Sequence, residues 1–132
     1  MRWLRAYATL LEARHPDRVS FSFESDPRVE KIMVPRLLLQ PLVENAVMHG
    51  ALSREEGGQV RVVITMEAEP GHVVCTVEDD GPRMRREHRE GGIGLRLLRE
   101  RLATHALGGR LTYHSTSKGT RAVLELPQES PS

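Results

Sequence analysis

Two hydrophobic periods take turns along the chain, and each change of period marks an element. Trp3, Leu4, Tyr7, Leu10 and Leu11 recur at helical spacing, which predicts a first helix ended by His15-Pro16-Asp17. Val19, Phe21 and Phe23 then alternate with Ser20, Ser22 and Glu24, the period of a half-buried strand, until Asp26-Pro27 breaks it. From Pro35 the spacing is helical again. Leu39, Leu42, Val43, Ala46 and Val47 form one apolar stripe, and Gly50 is its natural stop. Pro35 suits a first helical turn. Pro41 has no N–H to donate, which puts the start of the regular helix near Pro41.

Val60, Val62, Ile64 and Met66 alternate, Glu69-Pro70-Gly71-His72 turns the chain, and Val73, Cys75 and Val77 alternate again. This is a β-hairpin, ended by Asp79-Asp80-Gly81-Pro82. Residues 83–91 have no apolar period and read as polar loop. Gly92-Ile93-Gly94 opens a third helix with Leu95, Leu98 and Leu102 on its inner face, running to Ala106 and stopped by Gly108-Gly109. Leu111 and Tyr113, then Ala122, Leu124 and Leu126, flank Ser117-Lys118-Gly119-Thr120 as a last hairpin. The order predicts an α/β two-layer sandwich: a five-stranded mixed sheet with three helices on one face.

Composition narrows the function classes. The 132 residues make one domain, and 39% hydrophobic against 28% charged is a globular balance. A net charge of +1 gives no field that would draw nucleic acid or an anionic membrane. One Trp, two Tyr and two Phe are too few for a base-stacking platform. Cys75 stands alone, which excludes an intrachain disulfide and a cysteine zinc cluster, and it reads as an inert core thiol. No apolar stretch nears the ~20 residues of a membrane span. The short run Ala6 to Leu11 meets Glu12 and Arg14 at once, unlike a signal peptide. The expectation is a soluble, cytoplasmic domain.

Motifs for phosphate loops, serine hydrolases and zinc peptidases are absent, and the six histidines show no metal-ligand spacing. Polar residues stand out in three places. Gly91-Gly92-Ile93-Gly94 runs into a helix, where free backbone N–H groups favour phosphate, although such glycines are more often plain loop. Asp79 ends a hydrophobic strand. Its carboxylate can accept from an exocyclic amine while Gly81 admits a flat ring, but a lone aspartate there is more often a turn residue. Asn45 lies off the apolar stripe and offers a neutral hard oxygen suited to Mg2+ shared with phosphates. Glu44 beside it can deprotonate a nucleophile, and His49, one turn on, can reach phosphate. The ordinary alternative for this group is a solvated polar face.

Taken together, LLLQPLVENAVMHG, VEDDG, GGIGLRLLRERL and KGTRAVLELP resemble, in order and spacing, the ATP-binding domain of LytS-like sensor histidine kinases. This is the Bergerat-type ATPase fold, shared more distantly with gyrase, Hsp90 and MutL, and the resemblance spans roughly residues 4–126. It implies that Asn45 chelates Mg2+ and that Glu44 is the base for the phosphoacceptor. It also implies that Asp79 bonds the adenine amino group with Gly81 beside the ring, and that Thr120 supports the adenine side. Gly92, Ile93, Gly94 and Leu95 are then expected along the phosphates, with His49 as a further contact. Met48 stands where the family has lysine, Arg83 where it has a second glycine, and Leu97 where it often has asparagine. Of Arg83, Arg85, Arg86 and Arg89, one or two would clamp the triphosphate and the rest are a solvated charge run.

The resemblance further implies a division into residues 1–16, a connecting helix from a dimerisation domain outside this chain; 17–127, the catalytic domain; and 128–132, a disordered tail. ATP and Mg2+ are the implied cofactors. The implied partners are the phosphoacceptor domain of the same kinase and a downstream response regulator. The chain alone is expected to be monomeric and the full-length protein a homodimer, with room for a membrane anchor. Two other readings stay open: a stand-alone anti-sigma-like serine kinase on the same fold, and a nucleotide-responsive interaction module without transferase activity.

Overall fold

A computed structural model describes residues 2–27, 36–51, 57–67, 72–81, 100, 109–116 and 119–127. Helix α1 (Arg2–Arg14) leads into strand β1 (Val19–Ser25), and helix α2 (Arg36–Asn45) continues as a wider π-helical segment (Ala46–Gly50). Strands β2 (Gly58–Glu67), β3 (His72–Asp79), β4 (Arg110–Thr116) and β5 (Gly119–Pro127) follow. The five strands form one mixed sheet in the order β1-β2-β3-β5-β4. Among these strands only the β1–β2 pair is parallel, as expected for a strand followed by a helical crossover. The third helix expected at 94–106, the polar loop 83–91 and the tail 128–132 lie outside the described residues, Glu100 apart.

Alternation puts Val60, Val62 and Ile64 of β2, Val73, Cys75 and Val77 of β3, and Ala122, Leu124 and Leu126 of β5 on one face, all buried. Register aligns them in rows such as Val62–Val77–Ala122 and Ile64–Cys75–Leu124. Leu39, Leu42, Val43, Ala46 and Val47 cover these rows from the helix side. Burial pushes the Cys75 thiol up to about 12, so it stays protonated and inert. None of the described helices is long and apolar enough to cross a membrane.

The helices depart from expectation in two places. Leu10 belongs to no buried face: it is 50% exposed, and Leu4, Ala8 and Leu11 take the inner positions of α1. Small Ala8 fits between the two leucines at the i, i+4, i+7 spacing of a packed stripe. Pro41 does not begin α2; the helix starts at Arg36 and carries Pro41 inside it. An interior proline costs about 3 kcal/mol. Burying Leu39, Leu42 and Val43 contributes about 1.5–3 kcal/mol each, which outweighs that cost.

Helix α1 also guards the sheet. β1 is an edge strand, and its Phe21 N–H donates to Glu12 Oε1 at 3.0 Å, so one edge donor is occupied from within the chain.

Candidate functional site

The end of β3 brings a carboxylate to the helix-covered face. Asp79 shares its face with Val73, Cys75 and Val77, beneath the helices. Cross-strand register sets Val60 on one side of it and Thr120 on the other, with Ser115 beyond Thr120. The row therefore turns from apolar to polar at Asp79. Thr120 is the one buried polar side chain among the described residues.

Asp79 Oδ1 accepts the Gly81 N–H at 3.0 Å, a local turn that fixes the carboxylate. Burial pushes its pKa up from the usual 3.8 to about 6; the charge of Asp80 adds to the rise, and the backbone donors of Gly81 and Thr120 oppose it. A carboxylate poised this way favours a partner that donates hydrogen bonds.

Its neighbour does a different job. Asp80 Oδ1 accepts the Gln59 N–H at 2.8 Å and ties the strand end to β2. The pair of aspartates is thus divided: Asp80 is structural, and Asp79 faces the helices.

Glycines let three segments meet at Asp79. A Cβ on Gly50 would overlap the Asp79 carboxyl group, and one on Gly81 would overlap the Gly50 carbonyl. Gly119 has φ +141°, and a Cβ there would overlap the Asp79 carbonyl oxygen. Gly50 and Gly119 were legible only as a helix stop and a turn residue; what they pack against is set by long-range pairing.

The second wall comes from α2. Asn45 is its last residue and is half-buried. The π segment begins immediately after it, and the Ala51 N–H is shared by the carbonyls of Ala46 and Val47. This wider turn carries the chain from Asn45 to Gly50, where it meets Asp79. Glu44 is exposed, and its Oε1 accepts the Tyr7 hydroxyl at 2.6 Å and Gln40 Nε2 at 3.2 Å. Met48 is 58% exposed.

Asp79, Gly81 and Thr120 are thus brought together, and Gly50 joins them to the helix that bears Glu44 and Asn45. The side chain of His49, and Gly92, Ile93, Gly94 and Leu95, lie outside the described residues, as do Arg83, Arg85, Arg86, Arg89 and Leu97. A cleft of about 390 Å³ touches Asp79 and Thr120 but opens toward Arg61, Glu78 and Arg121 on the outer sheet face, and neither Glu44 nor Asn45 lines it. Among the described residues no group of three or more His, Cys, Asp or Glu could hold a metal ion. The lone amide oxygen of Asn45 therefore fits a divalent cation only if phosphate oxygens and water complete its shell.

Residues 31–130 match the family model described as histidine kinase-, DNA gyrase B-, and HSP90-like ATPase. The chain belongs to this ATPase family. It is a nucleotide-binding domain in consequence. The chain is 31% identical over 139 residues to the sensor histidine kinase/phosphatase LytS of Staphylococcus aureus (strain MRSA252), an overlap of 96% of this chain and 24% of that protein. It thus spans about a quarter of the curated relatives it matches. Its fold is similar to the blue-light activated histidine kinase of Erythrobacter litoralis EL346, with TM-score 0.75 and 21% identity over 96% of this chain and 41% of that one. The nucleotide-free catalytic domain of histidine kinase ThkA superposes with TM-score 0.71 and 20% identity, covering 94% of this chain and 90% of that one.

Proposed function

We propose that this ATPase-family domain is the catalytic part of a two-component sensor histidine kinase, which moves the ATP γ-phosphoryl group to a histidine on a separate dimerisation domain. The observation that carries this reading is the half-buried Asp79 carboxylate, set between Thr120 and two glycines at the junction with α2. The similarity to LytS supports the choice of kinase within the family.

In this reading the adenine amino group donates to Asp79, with Gly81 beside the ring and Thr120 supporting the adenine side through hydrogen bonding. Asn45 would hold Mg2+, which would supply neutralisation of the phosphate charge, and His49 with Gly92, Ile93, Gly94 and Leu95 would serve the triphosphate. Glu44 takes the imidazole N–H proton as the N–P bond forms and the bond to the β-phosphate oxygen breaks. Positioning and charge neutralisation carry most of such a transfer, so little covalent chemistry is asked of the protein. The phosphohistidine would then pass its phosphoryl group to a response regulator; ThkA has been crystallised in complex with the response regulator TrrA. ATP as donor places the reaction in the cytoplasm.

Mixing this chain with γ-labelled ATP, Mg2+ and a dimerisation domain from a LytS-like relative tests the proposal. Acid-labile, base-stable label on the acceptor histidine is the expected result. ATP binding with no transfer would leave a nucleotide-responsive module and reject the kinase; label on serine would favour an anti-sigma-like kinase.

A further inference from the structure

The proposed proton acceptor does not stand alone. Tyr7 lies on α1, between Leu4 and Leu11 on the helix face that enters the core, and those leucines are 1% and 8% exposed. Its ring is packed against the same core, and its hydroxyl reaches across 37 positions of sequence to Glu44 Oε1 at 2.6 Å. Gln40, one turn before Glu44 on α2, donates to the same oxygen at 3.2 Å. Two donors therefore converge on Oε1, and none of the described hydrogen bonds uses Oε2.

The two donors differ in what they report. Gln40 moves with α2, so its bond says nothing about the rest of the chain. Tyr7 belongs to a different element, and its hydroxyl ties the carboxylate to α1. Burial first, and the Glu44 hydrogen bond second, push the Tyr7 phenol up to about 12, so it remains a protonated donor throughout the working pH range.

We propose that Tyr7 is a positioning residue for phosphoryl transfer: from α1 it holds Glu44 by Oε1 and leaves Oε2 turned to the incoming imidazole. This rests on Glu44 being the proton acceptor. An exposed glutamate samples several rotamers, and only those that present a free oxygen to the acceptor are productive. A short bond from a core-anchored phenol selects among them. It also makes the orientation of the base depend on where α1 sits, and α1 is the element that precedes the rest of the domain.

The test is a double-mutant cycle on transfer to the dimerisation domain, with ATP affinity and thermal midpoint measured for every variant. Tyr7→Phe keeps the ring and removes the donor. It should slow transfer on the order of tenfold while ATP affinity and midpoint stay at parent values. Glu44→Gln should slow transfer as well, and adding Tyr7→Phe to it should produce no further loss, because the phenol acts only through the carboxylate. If Tyr7→Phe slows the parent and the Glu44→Gln variant equally, or lowers midpoint or ATP affinity in step with rate, Tyr7 is structural and the proposal is overturned. If Glu44→Gln slows transfer and Tyr7→Phe does not, the proposal falls and the role of Glu44 stands. If Glu44→Gln transfers normally, both fall together.

Discussion

Asp79→Asn will bind ATP about 10–100-fold more weakly than the parent chain and will nonetheless be the more stable protein at neutral pH. The binding loss follows from a hydrogen bond to a charged acceptor, worth about 1.5–3 kcal/mol, which the amide replaces with a weaker neutral contact. The stability gain follows from burial. Asp79 is raised from 3.8 to about 6 in the folded chain, so the folded state holds this proton more tightly than the unfolded state. Stability therefore falls as pH rises from about 4 to about 6, and the cost is complete above that window. After allowance for solvent screening of a partly exposed group, this amounts to roughly 1–2 kcal/mol. Asparagine carries no charge and avoids the cost, so its advantage over the parent should grow between pH 4 and pH 7. Melts at both pH values and calorimetric titration with ATP check the two halves. An Asp79→Asn chain with parent-like ATP affinity would remove the adenine contact, and a pH-independent stability difference would remove the burial argument.

Gly50→Ala is expected to damage the fold and the site together. The added methyl would overlap the Asp79 carboxyl group, and the Gly50 carbonyl is itself packed against Gly81, so neither side has room to retreat. Overpacking of this kind costs about 1–3 kcal/mol, which lowers the midpoint by roughly 4–15 °C in a domain of this size. Relief comes only by moving the π segment away from β3 or by turning Asp79 aside, and both spoil the site. The substitution should therefore lower ATP affinity beyond what the stability loss explains, unlike a change in the distant core. Leu124→Ala, on the buried row of β5, should destabilise by about 2–5 kcal/mol and leave the affinity of the folded fraction intact. A Gly50→Ala chain with unchanged midpoint and unchanged affinity would show that the packing around Asp79 is loose.

The strands were legible because period-two alternation is a local signal. Residues 60–66 and 73–77 announce β2 and β3, and continuing the same alternation by one step puts Asp79 on the face of Val73, Cys75 and Val77. The helices were harder. Leu10 looks like a core residue by type and spacing, but the i, i+4, i+7 stripe runs through Ala8, and only packing chooses between the two. Pro41 reads as a helix start because its local penalty is visible in sequence, whereas the burial that overrides it is tertiary. The π segment has no periodic mark in five residues. Gly50, Gly119 and Tyr7 share one reason for being missed: each matters through a contact made far along the chain. The phenol of Tyr7 and the carboxylate of Glu44 carry no motif that links them; α1 and α2 must first pack on the same sheet.

The most direct test is a pair of calorimetric titrations of the unmodified chain, with ATP and with GTP, in Mg2+. ATP presents an amino group to Asp79; GTP presents a carbonyl oxygen at the same position, acceptor against acceptor. The expected result is saturable ATP binding with GTP weaker by at least about tenfold. Equal affinity for the two nucleotides, or no binding of either, would contradict a purine site read by Asp79.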